Sequence, residues 1–342
     1  MKFEKIYSMD LPFCYAVTGI KINGRTQFLF ASDDRNPCYC LDIRTFEKQT
    51  VWEAPGGTMA MVPVPERNGD FLAIQLFNPG FQAQEAQVVQ AQYQNGRWDV
   101  RTLFKLPYVH RLDILERAGV RYLIACTVCA SKKFEQDWSS PGAIYATELP
   151  ADISRIVSLK QIAGGMHRNH GFWPLRYNDF KAGLTSCDEG VFEVLPPERL
   201  GGDWQVRCIL GRPVSDLAIA DIDGDGIPEM AAIEPFHGSE FNVYRRMEAG
   251  YIPFYRYPRE LPFGHAIWGG RLRSRPVFIG GCRAGSQELF MLRWENGRIV
   301  DEVIDSGCSP ANVAVISGDE YDLLAVASRE TGRGVIYSVR DS

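Results

Sequence analysis

Residues 216–238 read DLAIADIDGDGIPEMAAIEPFHG, and this stretch contains the unit from which the fold is predicted. It begins with a polar residue, Asp216, and continues as a short apolar strand. An acidic, glycine-containing turn follows, and then a second, more apolar strand that leads into a polar loop with His237. Short apolar runs bounded by Gly, Pro, Asn and Asp are typical of strands. The stretch therefore predicts a pair of β-strands joined by an acidic turn.

The same unit recurs along the chain at intervals of roughly 43 to 60 residues, and each unit has room for two further strands. Four strands in about 45–50 residues is the period of a propeller blade. The first strands start at Tyr15, Thr58, His110, His170, Asp216, His265 and Asn312. The sequence therefore predicts an all-β fold: a seven-bladed β-propeller with four antiparallel strands per blade, formed by residues 1–342 as a single domain.

In this scheme the two ends of the chain together form the last blade. The last unit has only three strands, and the segment FEKIYSM at residues 3–9 precedes the first unit. We expect this N-terminal segment to supply the fourth strand of the last blade, which would leave no free sheet edge.

The charge and the apolar runs of the chain indicate which kinds of partner are not expected. The net charge is −5 and the basic residues are scattered, which disfavours a nucleic-acid partner. The N-terminus has no apolar run of signal-peptide length, and no stretch of 18 apolar residues occurs, so we expect no membrane partner and a cytoplasmic location.

An acidic turn stands out in the fifth unit, with carboxylates at Asp221, Asp223, Asp225 and Glu229 and glycines between them. Alternating carboxylates in a tight loop are typical ligands for a hard cation. The pattern resembles the FG-GAP or VCBS repeat of integrin-like and bacterial propellers, which binds Ca²⁺. The sequence therefore predicts Ca²⁺ or Mg²⁺ in this loop, and an acidic turn without an ion is the alternative.

Three of the five histidines, His110, His170 and His265, share one register at the start of an innermost strand, and Asp216 holds the same register in the fifth unit. Innermost strands of a propeller line its channel, so these side chains should converge at one channel mouth. His237 follows a second strand and should return to that mouth. The sequence predicts that His110, His170, His237, His265 and Asp216 bind a divalent transition metal such as Zn, Mn or Fe.

Other polar residues at this mouth suit catalysis. Tyr15 could act as a general acid or base, and His110 and His170 could serve as ligands or bases. Arg283, Arg329 and Lys132 could hold a carboxylate or stabilise an enolate. A ring of histidines that binds a ligand without a metal is the alternative.

The fifth unit, with its inner strand, DIDGDG turn and EMAAIEPFHG segment, resembles the propeller domain of the fungal aldos-2-ulose dehydratase family, also called anhydrofructose dehydratase. That family combines FG-GAP-like loops with channel histidines and a divalent metal, and it removes water from keto-sugars. The resemblance carries over to His237, His265 and the Asp221–Glu229 loop. The seven-bladed fold with clustered histidines also resembles oligogalacturonate lyase.

Both resemblances imply β-elimination beside a carbonyl group. The functional hypothesis is therefore a metal-assisted lyase or dehydratase that acts on a small sugar or keto-sugar, with His110, His170, Tyr15 and Arg283 as candidate catalytic residues. The alternative is a non-catalytic propeller that binds a glycan or a protein partner at the same mouth.

Overall fold

A computed structural model describes residues 1–78, 80–156 and 159–341. Within those residues the regular structure consists of 28 β-strands and one 3₁₀ turn, Ile153–Arg155. The strands of the first half are β1 (Lys2–Asp10), β2 (Cys14–Ile22), β3 (Arg25–Ser32), β4 (Cys38–Asp42), β5 (Lys48–Trp52), β6 (Met61–Pro63), β7 (Phe71–Gln75), β8 (Gln87–Gln94), β9 (Arg97–Lys105), β10 (Val109–Arg117), β11 (Val120–Thr127), β12 (Gly142–Glu148), β13 (Lys160–Met166) and β14 (Gly171–Arg176).

The remaining strands are β15 (Lys181–Cys187), β16 (Gly190–Leu195), β17 (Gln205–Leu210), β18 (Asp216–Ala220), β19 (Glu229–Glu234), β20 (Glu240–Met247), β21 (Gly250–Arg256), β22 (Gly264–Leu272), β23 (Arg275–Cys282), β24 (Leu289–Glu295), β25 (Arg298–Asp305), β26 (Pro310–Ile316), β27 (Asp322–Ser328) and β28 (Arg333–Arg340). The described residues contain no helix long and apolar enough to span a membrane.

Antiparallel meanders of four strands account for most of the sheet structure. Strands β2–β5, β6–β9, β18–β21 and β22–β25 each form one four-stranded sheet in sequence order. Strands β10–β17 form an eight-stranded sheet, whose two halves meet at one pairing of β10 with β15, Glu116 with Lys181. The predicted all-β class and the four-stranded antiparallel units are confirmed.

The final sheet joins the two ends of the chain. Its strand order is β1-β28-β27-β26, and β1 pairs antiparallel with β28 from Lys2 opposite Arg340 to Asp10 opposite Arg333. The N-terminal segment therefore supplies the fourth strand of this sheet, as the sequence predicts.

Asn-Gly turns connect several of the hairpins. Asn23 and Gly24 have φ angles of 52° and 74°, and Asn296 and Gly297 have 51° and 78°. Two successive residues with positive φ form the type I′ turn, whose twist matches that of the paired strands. Glycine and asparagine adopt this conformation at low cost.

The second strand of each four-stranded repeat unit contributes to the core. All residues of β7 and β27 are buried, and so are Phe28, Leu29 and Phe30 of β3. A strand buried on both faces has a continuous run of apolar residues in its sequence, because neighbouring sheets pack against each of its faces. These buried strands pair with the first strands and so fix their positions.

A β-bulge recurs at the start of four first strands. The register of pairing skips one residue at Tyr15, His110, His265 and Ala311. In each case the residue two positions earlier has a positive φ, between 51° and 61°. A bulge leaves one residue unpaired and turns its side chain out of the normal alternation.

The structure corrects three predicted register positions by one residue each. The residue equivalent to His265 in the last sheet is Ala311, not Asn312. In the fifth unit it is Ser215, not Asp216, because the Ser215 carbonyl accepts the hydrogen bond that the Ala311 carbonyl accepts in the last unit. In the second unit Met59, not Thr58, lines the cavity that lies where the first strands begin.

Candidate functional site

A cavity of about 350 Å³ lies where the first strands begin. First strands and the loops after second strands both contribute to its wall, as expected for one end of a propeller-like arrangement. The lining residues are Phe13, Tyr15, Asp33, Asp34, Met59, Phe77, Asn78, Gly80, Phe81, His110, Glu135, His237, Phe263, His265, Arg283 and Arg329.

Three histidines meet beside this cavity. His170, His237 and His265 each place one ring nitrogen within 4.8 Å of the other two. The Nε2 atoms of His170 and His237 are 3.3 Å apart. These residues are 28 to 95 positions apart in the sequence, so only the arrangement of the strands brings them together.

Backbone carbonyl groups orient the rings. His265 Nδ1 lies 2.7 Å from the Ala311 carbonyl oxygen, and His170 Nδ1 lies 3.2 Å from that of Ser215. His110 Nδ1 is likewise 3.2 Å from the His170 carbonyl oxygen. A carbonyl oxygen only accepts hydrogen bonds, so Nδ1 carries the proton and the Nε2 lone pair of each ring remains available.

Burial keeps all these rings neutral. It lowers the pKa of His237 to about 3, with Arg283 and Arg111 adding to the effect. Burial also holds the pKa of His110, His170 and His265 well below the usual histidine value. A histidine must be neutral to bind a metal ion, so the three clustered histidines can act as metal ligands at neutral pH.

The donor set fits a divalent transition metal. Imidazole nitrogens suit Zn and neighbouring ions, and two nitrogens bound tetrahedrally at about 2.0–2.1 Å would be about 3.3 Å apart. The separation of the His170 and His237 Nε2 atoms matches this value. Three protein ligands would leave a position open for another molecule.

His110 and Asp216, both predicted metal ligands, lie outside the three-histidine cluster. The His110 ring centroid is 4.4 Å from that of His170, and the ring lies against Phe77 and Phe81 at the cavity wall. The Asp216 carboxylate pairs instead with Arg111, with Nη2 and Oδ2 3.2 Å apart. Asp216 is therefore a partner of a buried cation.

Tyr15 lies at the cavity wall next to the cluster. Its hydroxyl is 3.2 Å from His265 Nε2, and the residue is 3% exposed. Burial raises the Tyr15 pKa, while Arg111 and Arg283 oppose that rise. The phenol is therefore protonated at neutral pH and can donate a hydrogen bond.

Arg283 and Arg329, predicted to hold an anionic group, already have carboxylate partners. Arg283 Nε lies 3.1 Å from Glu330 Oε1, and Arg329 Nη1 lies 3.1 Å from the same oxygen. Arg329 also pairs with Asp33. Because two guanidinium groups face two carboxylates, this wall carries little net charge. The third predicted cation, Lys132, places its Nζ 3.2 Å from the Trp138 ring centroid.

Aromatic rings surround His237 and form the rim. Phe236 and Phe263 stack on it with centroid distances of 4.0 and 4.4 Å. Phe13 and Phe263 are 42% and 38% exposed, although both have a positive φ that is unusual for a bulky residue. Exposed aromatic faces of this kind can stack on an apolar face of a ligand.

The predicted cation loop is on the other end of β18. Carboxylate oxygens of Asp221, Asp223 and Asp225 lie within 4.8 Å of one another. Glu229 is not in this group: its carboxylate is buried, accepts a hydrogen bond from Ile222 N at 3.1 Å, and faces Arg245. Arg245 also pairs with Asp223, so part of the negative charge of the loop is compensated.

Sequence reasoning missed Arg111 and Glu330. Arg111 directly follows His110, and strict alternation would direct these two side chains to opposite faces. The bulge at His110 removes that constraint, so both lie at the site. The fifth histidine, His167, lies away from the cluster and hydrogen-bonds to Glu189 at 2.7 Å.

Comparison with known proteins supports the fold. No family model matches this chain, and no curated protein matches it. The crystal structure of Sqt1 from Saccharomyces cerevisiae aligns with a TM-score of 0.61 at 8% identity, over 98% of this chain and 99% of that chain. The PQQ-bound form of aldose sugar dehydrogenase from Streptomyces coelicolor aligns with a TM-score of 0.52 at 12% identity, over 98% of each chain. Both are propellers, so the chain has a propeller fold.

Proposed function

We propose that this protein is a metal-assisted lyase or dehydratase that acts on a sugar or keto-sugar by β-elimination. The observation that carries the proposal is the group of three neutral histidines, His170, His237 and His265, whose ligand nitrogens lie within 4.8 Å of one another beside a cavity. The similarity to an aldose sugar dehydrogenase is consistent with a carbohydrate ligand, although at 12% identity it extends only to the fold.

The proposed architecture is a ring of seven blades. The first strands β2, β6, β10, β14, β18, β22 and β26 contact one another in this order, and β26 contacts β2. The eight-stranded sheet then counts as two blades joined at one residue pair. This arrangement supports the resemblance to seven-bladed lyases and to the aldos-2-ulose dehydratase family.

In the proposed mechanism, His170, His237 and His265 hold the metal. When bound, the ion would act as a Lewis acid that polarises the substrate carbonyl and lowers the cost of forming an enolate. His110 lies outside this group, lines the cavity and keeps its Nε2 lone pair, which suits it to remove the proton next to the carbonyl. Tyr15 supplies an O–H group on the cavity wall.

The test is a search for elimination products. The metal-loaded protein is incubated with a panel of keto-sugars and uronates, and the appearance of a conjugated enone is followed by ultraviolet absorption. We expect turnover by the wild type, none by His170→Ala/His265→Ala, and full turnover by His167→Ala, whose ring lies outside the cluster. Full activity of the double variant would contradict the proposal.

A non-catalytic binding propeller is the second candidate. It is favoured by three exposed phenylalanines in loops near the cavity, Phe13, Phe134 and Phe263, of which Phe134 is 60% exposed. In that case a glycan or a protein partner would bind over the rim, and replacing the histidines would leave binding unchanged.

The acidic loop is proposed to hold Ca²⁺ or Mg²⁺ for structural purposes. Asp221, Asp223 and Asp225 would supply the oxygens, and Asp221 Oδ1 is buried without a hydrogen-bond partner among the described residues. Glu229 is not among these ligands, because its carboxylate accepts hydrogen bonds from the backbone N–H of Ile222 and from the Arg245 side chain.

A further inference from the structure

A second cavity, of about 560 Å³, lies between the strand units β14–β17 and β18–β21. Its wall includes Leu175 and Arg176 at the end of β14, and Met247 and Gly250 on either side of the turn between β20 and β21. The cavity beside the histidines lies where the first strands begin, so the second cavity is at the opposite end of the first strands. The two cavities share no lining residue.

The floor of the second cavity is apolar and is built by both units. It consists of residues that belong to, or pack against, one core cluster between the two units, namely Leu175, Leu184, Ile209, Ile219 and Tyr251. Because the core cluster holds these side chains, the floor is formed when the chain folds. Covering such a surface with the apolar body of a ligand removes it from water, which favours binding.

A buried carboxylate holds Arg207 at the wall of this cavity. The Glu193 side chain is only 4% exposed, and it accepts hydrogen bonds from Arg207 Nε and from the Tyr177 hydroxyl. Among the described residues, the two terminal nitrogens of Arg207 have no hydrogen-bond acceptor. Glu193 therefore fixes a guanidinium group at the cavity wall and leaves two of its donor groups for a ligand.

The charged residues of the wall favour an anion. Arg176 and Arg246 also line the cavity, and neither forms an ion pair with any residue that the structure describes. The wall carries two carboxylates, Glu193 and Glu248, against three guanidinium groups, and Glu193 is already used by Arg207. The cavity is therefore positively charged, although the chain has a net charge of −5. Guanidinium groups bind carboxylates through paired, charge-assisted hydrogen bonds.

We propose that the second cavity binds a small organic carboxylate with an apolar body. Arg176, Arg207 and Arg246 hold the carboxylate, and the apolar floor covers the body of the ligand. A cavity of about 560 Å³ has the size of a small-molecule site. This site does not involve the histidine cluster, so it is independent of the proposed elimination.

The first test is calorimetric titration with three related probes. We expect 1-naphthoate to bind, and two partial probes to bind at least about tenfold more weakly. These are 1-naphthamide, which has the same rings without the charge, and acetate, which has the charge without the rings. Equal affinities for 1-naphthoate and 1-naphthamide would overturn the inference, and so would the absence of 1-naphthoate binding at millimolar concentration.

The second test locates the probe with variants. Arg176→Gln/Arg246→Gln removes two exposed cations and should weaken 1-naphthoate binding by about tenfold or more. Arg207→Gln/Glu193→Gln should do the same, and both residues are replaced because Glu193 alone would be a buried charge without its cation. Arg298→Gln is the matched control, since Arg298 is exposed and lies outside the cavity. Unchanged affinity of both double variants would contradict the proposed site.

Cys208 reports occupancy of the cavity without an activity assay. It lines the second cavity and is the one exposed cysteine of the nine, all of which the structure describes. Saturating 1-naphthoate should slow its alkylation by iodoacetamide, measured by peptide mass spectrometry, in the wild type and in His170→Ala/His265→Ala. Alkylation that is not slowed in the wild type, or protection that is lost in the histidine variant, would overturn the inference. Failure of the proposed elimination would leave both expected results in place.

Discussion

At the scale of single residues, burial of the imidazole rings sets how stability depends on pH. A histidine in the unfolded chain has a pKa near 6.5. Burial lowers the pKa of His237 to about 3, and it lowers those of His110, His170 and His265 as well. Below about pH 6.5 the unfolded state binds more protons than the folded state, so the stability present above this pH is lost as the pH falls.

The metal-free protein should therefore lose stability between pH 7 and pH 5, and His237→Phe should lose less. His237 stacks between Phe236 and Phe263, so a phenylalanine can occupy its place. A pKa lowered to about 3 corresponds to about 2 kcal/mol over this interval. Urea unfolding of both proteins at each pH measures the difference. Parallel pH profiles would show that His237 is protonated in the folded protein.

Glu330 is the residue that balances two cations at the cavity wall. It faces both Arg283 and Arg329, and Arg283 has a side chain only 10% exposed. Glu330→Gln should lower the free energy of unfolding by about 1–3 kcal/mol, because it leaves a buried guanidinium short of a partner. Glu66→Gln is a control, since the Glu66 side chain is 80% exposed. An equal free energy of unfolding for both variants would mean that Glu330 does not stabilise the folded protein through Arg283 and Arg329.

At the scale of elements, the β-bulges explain which register positions could be predicted. Tyr15, His110 and His265 are polar or aromatic residues at the same place in their strands, so the sequence pattern identified them. Ala311 was missed because a bulge adds one residue to the count and leaves no signature in a single sequence. Ser215 directly precedes β18, whose pairing with β19 has no register shift, and it was missed because the polar Asp216 beside it fits the pattern of the other units. The predicted positions Asp216 and Asn312 therefore fell one residue late.

Strand β1 should be essential to stability because it covers the edge of β28. Eight residue pairs join these strands, and Met9 of β1 is buried. Deleting residues 1–10 should destabilise the protein by several kcal/mol, since each backbone hydrogen bond contributes about 1 kcal/mol. A circular permutant that links the natural ends and opens the Asn95–Gly96 turn keeps β1 and should retain its melting temperature. Equal melting temperatures for the deletion variant and the wild type would contradict this role.

The acidic loop should respond to calcium independently of the histidine site. Millimolar Ca²⁺ should raise the melting temperature of the wild type and leave that of Asp225→Asn almost unchanged, since a ligand stabilises only the state that binds it. His170→Ala/His265→Ala should still respond. No shift with Ca²⁺ or Mg²⁺ in the wild type would mean that the ion pair of Asp223 with Arg245 is sufficient for the loop.

At the scale of the whole molecule, the repeat was readable from the sequence because each unit needs its own apolar second strand and turn residues. The convergence of the histidines followed from that repeat. The partners of the site did not, because they are far apart in the chain: Tyr15 and His265 are separated by 250 residues, and Arg111 and Asp216 by 105. Such pairings depend on side-chain packing across the molecule, which one sequence does not encode as a local pattern.

His170, His237 and His265 are proposed to form a transition-metal site, and elemental analysis of the purified protein by ICP-MS measures directly whether they bind a metal ion. We expect near-stoichiometric Zn, Mn or Fe in the wild type and in His167→Ala, and loss of the metal in His170→Ala/His265→Ala with the fold intact by circular dichroism. Absence of these metals from the wild type after incubation with each ion, or equal metal content in the double variant, would contradict it.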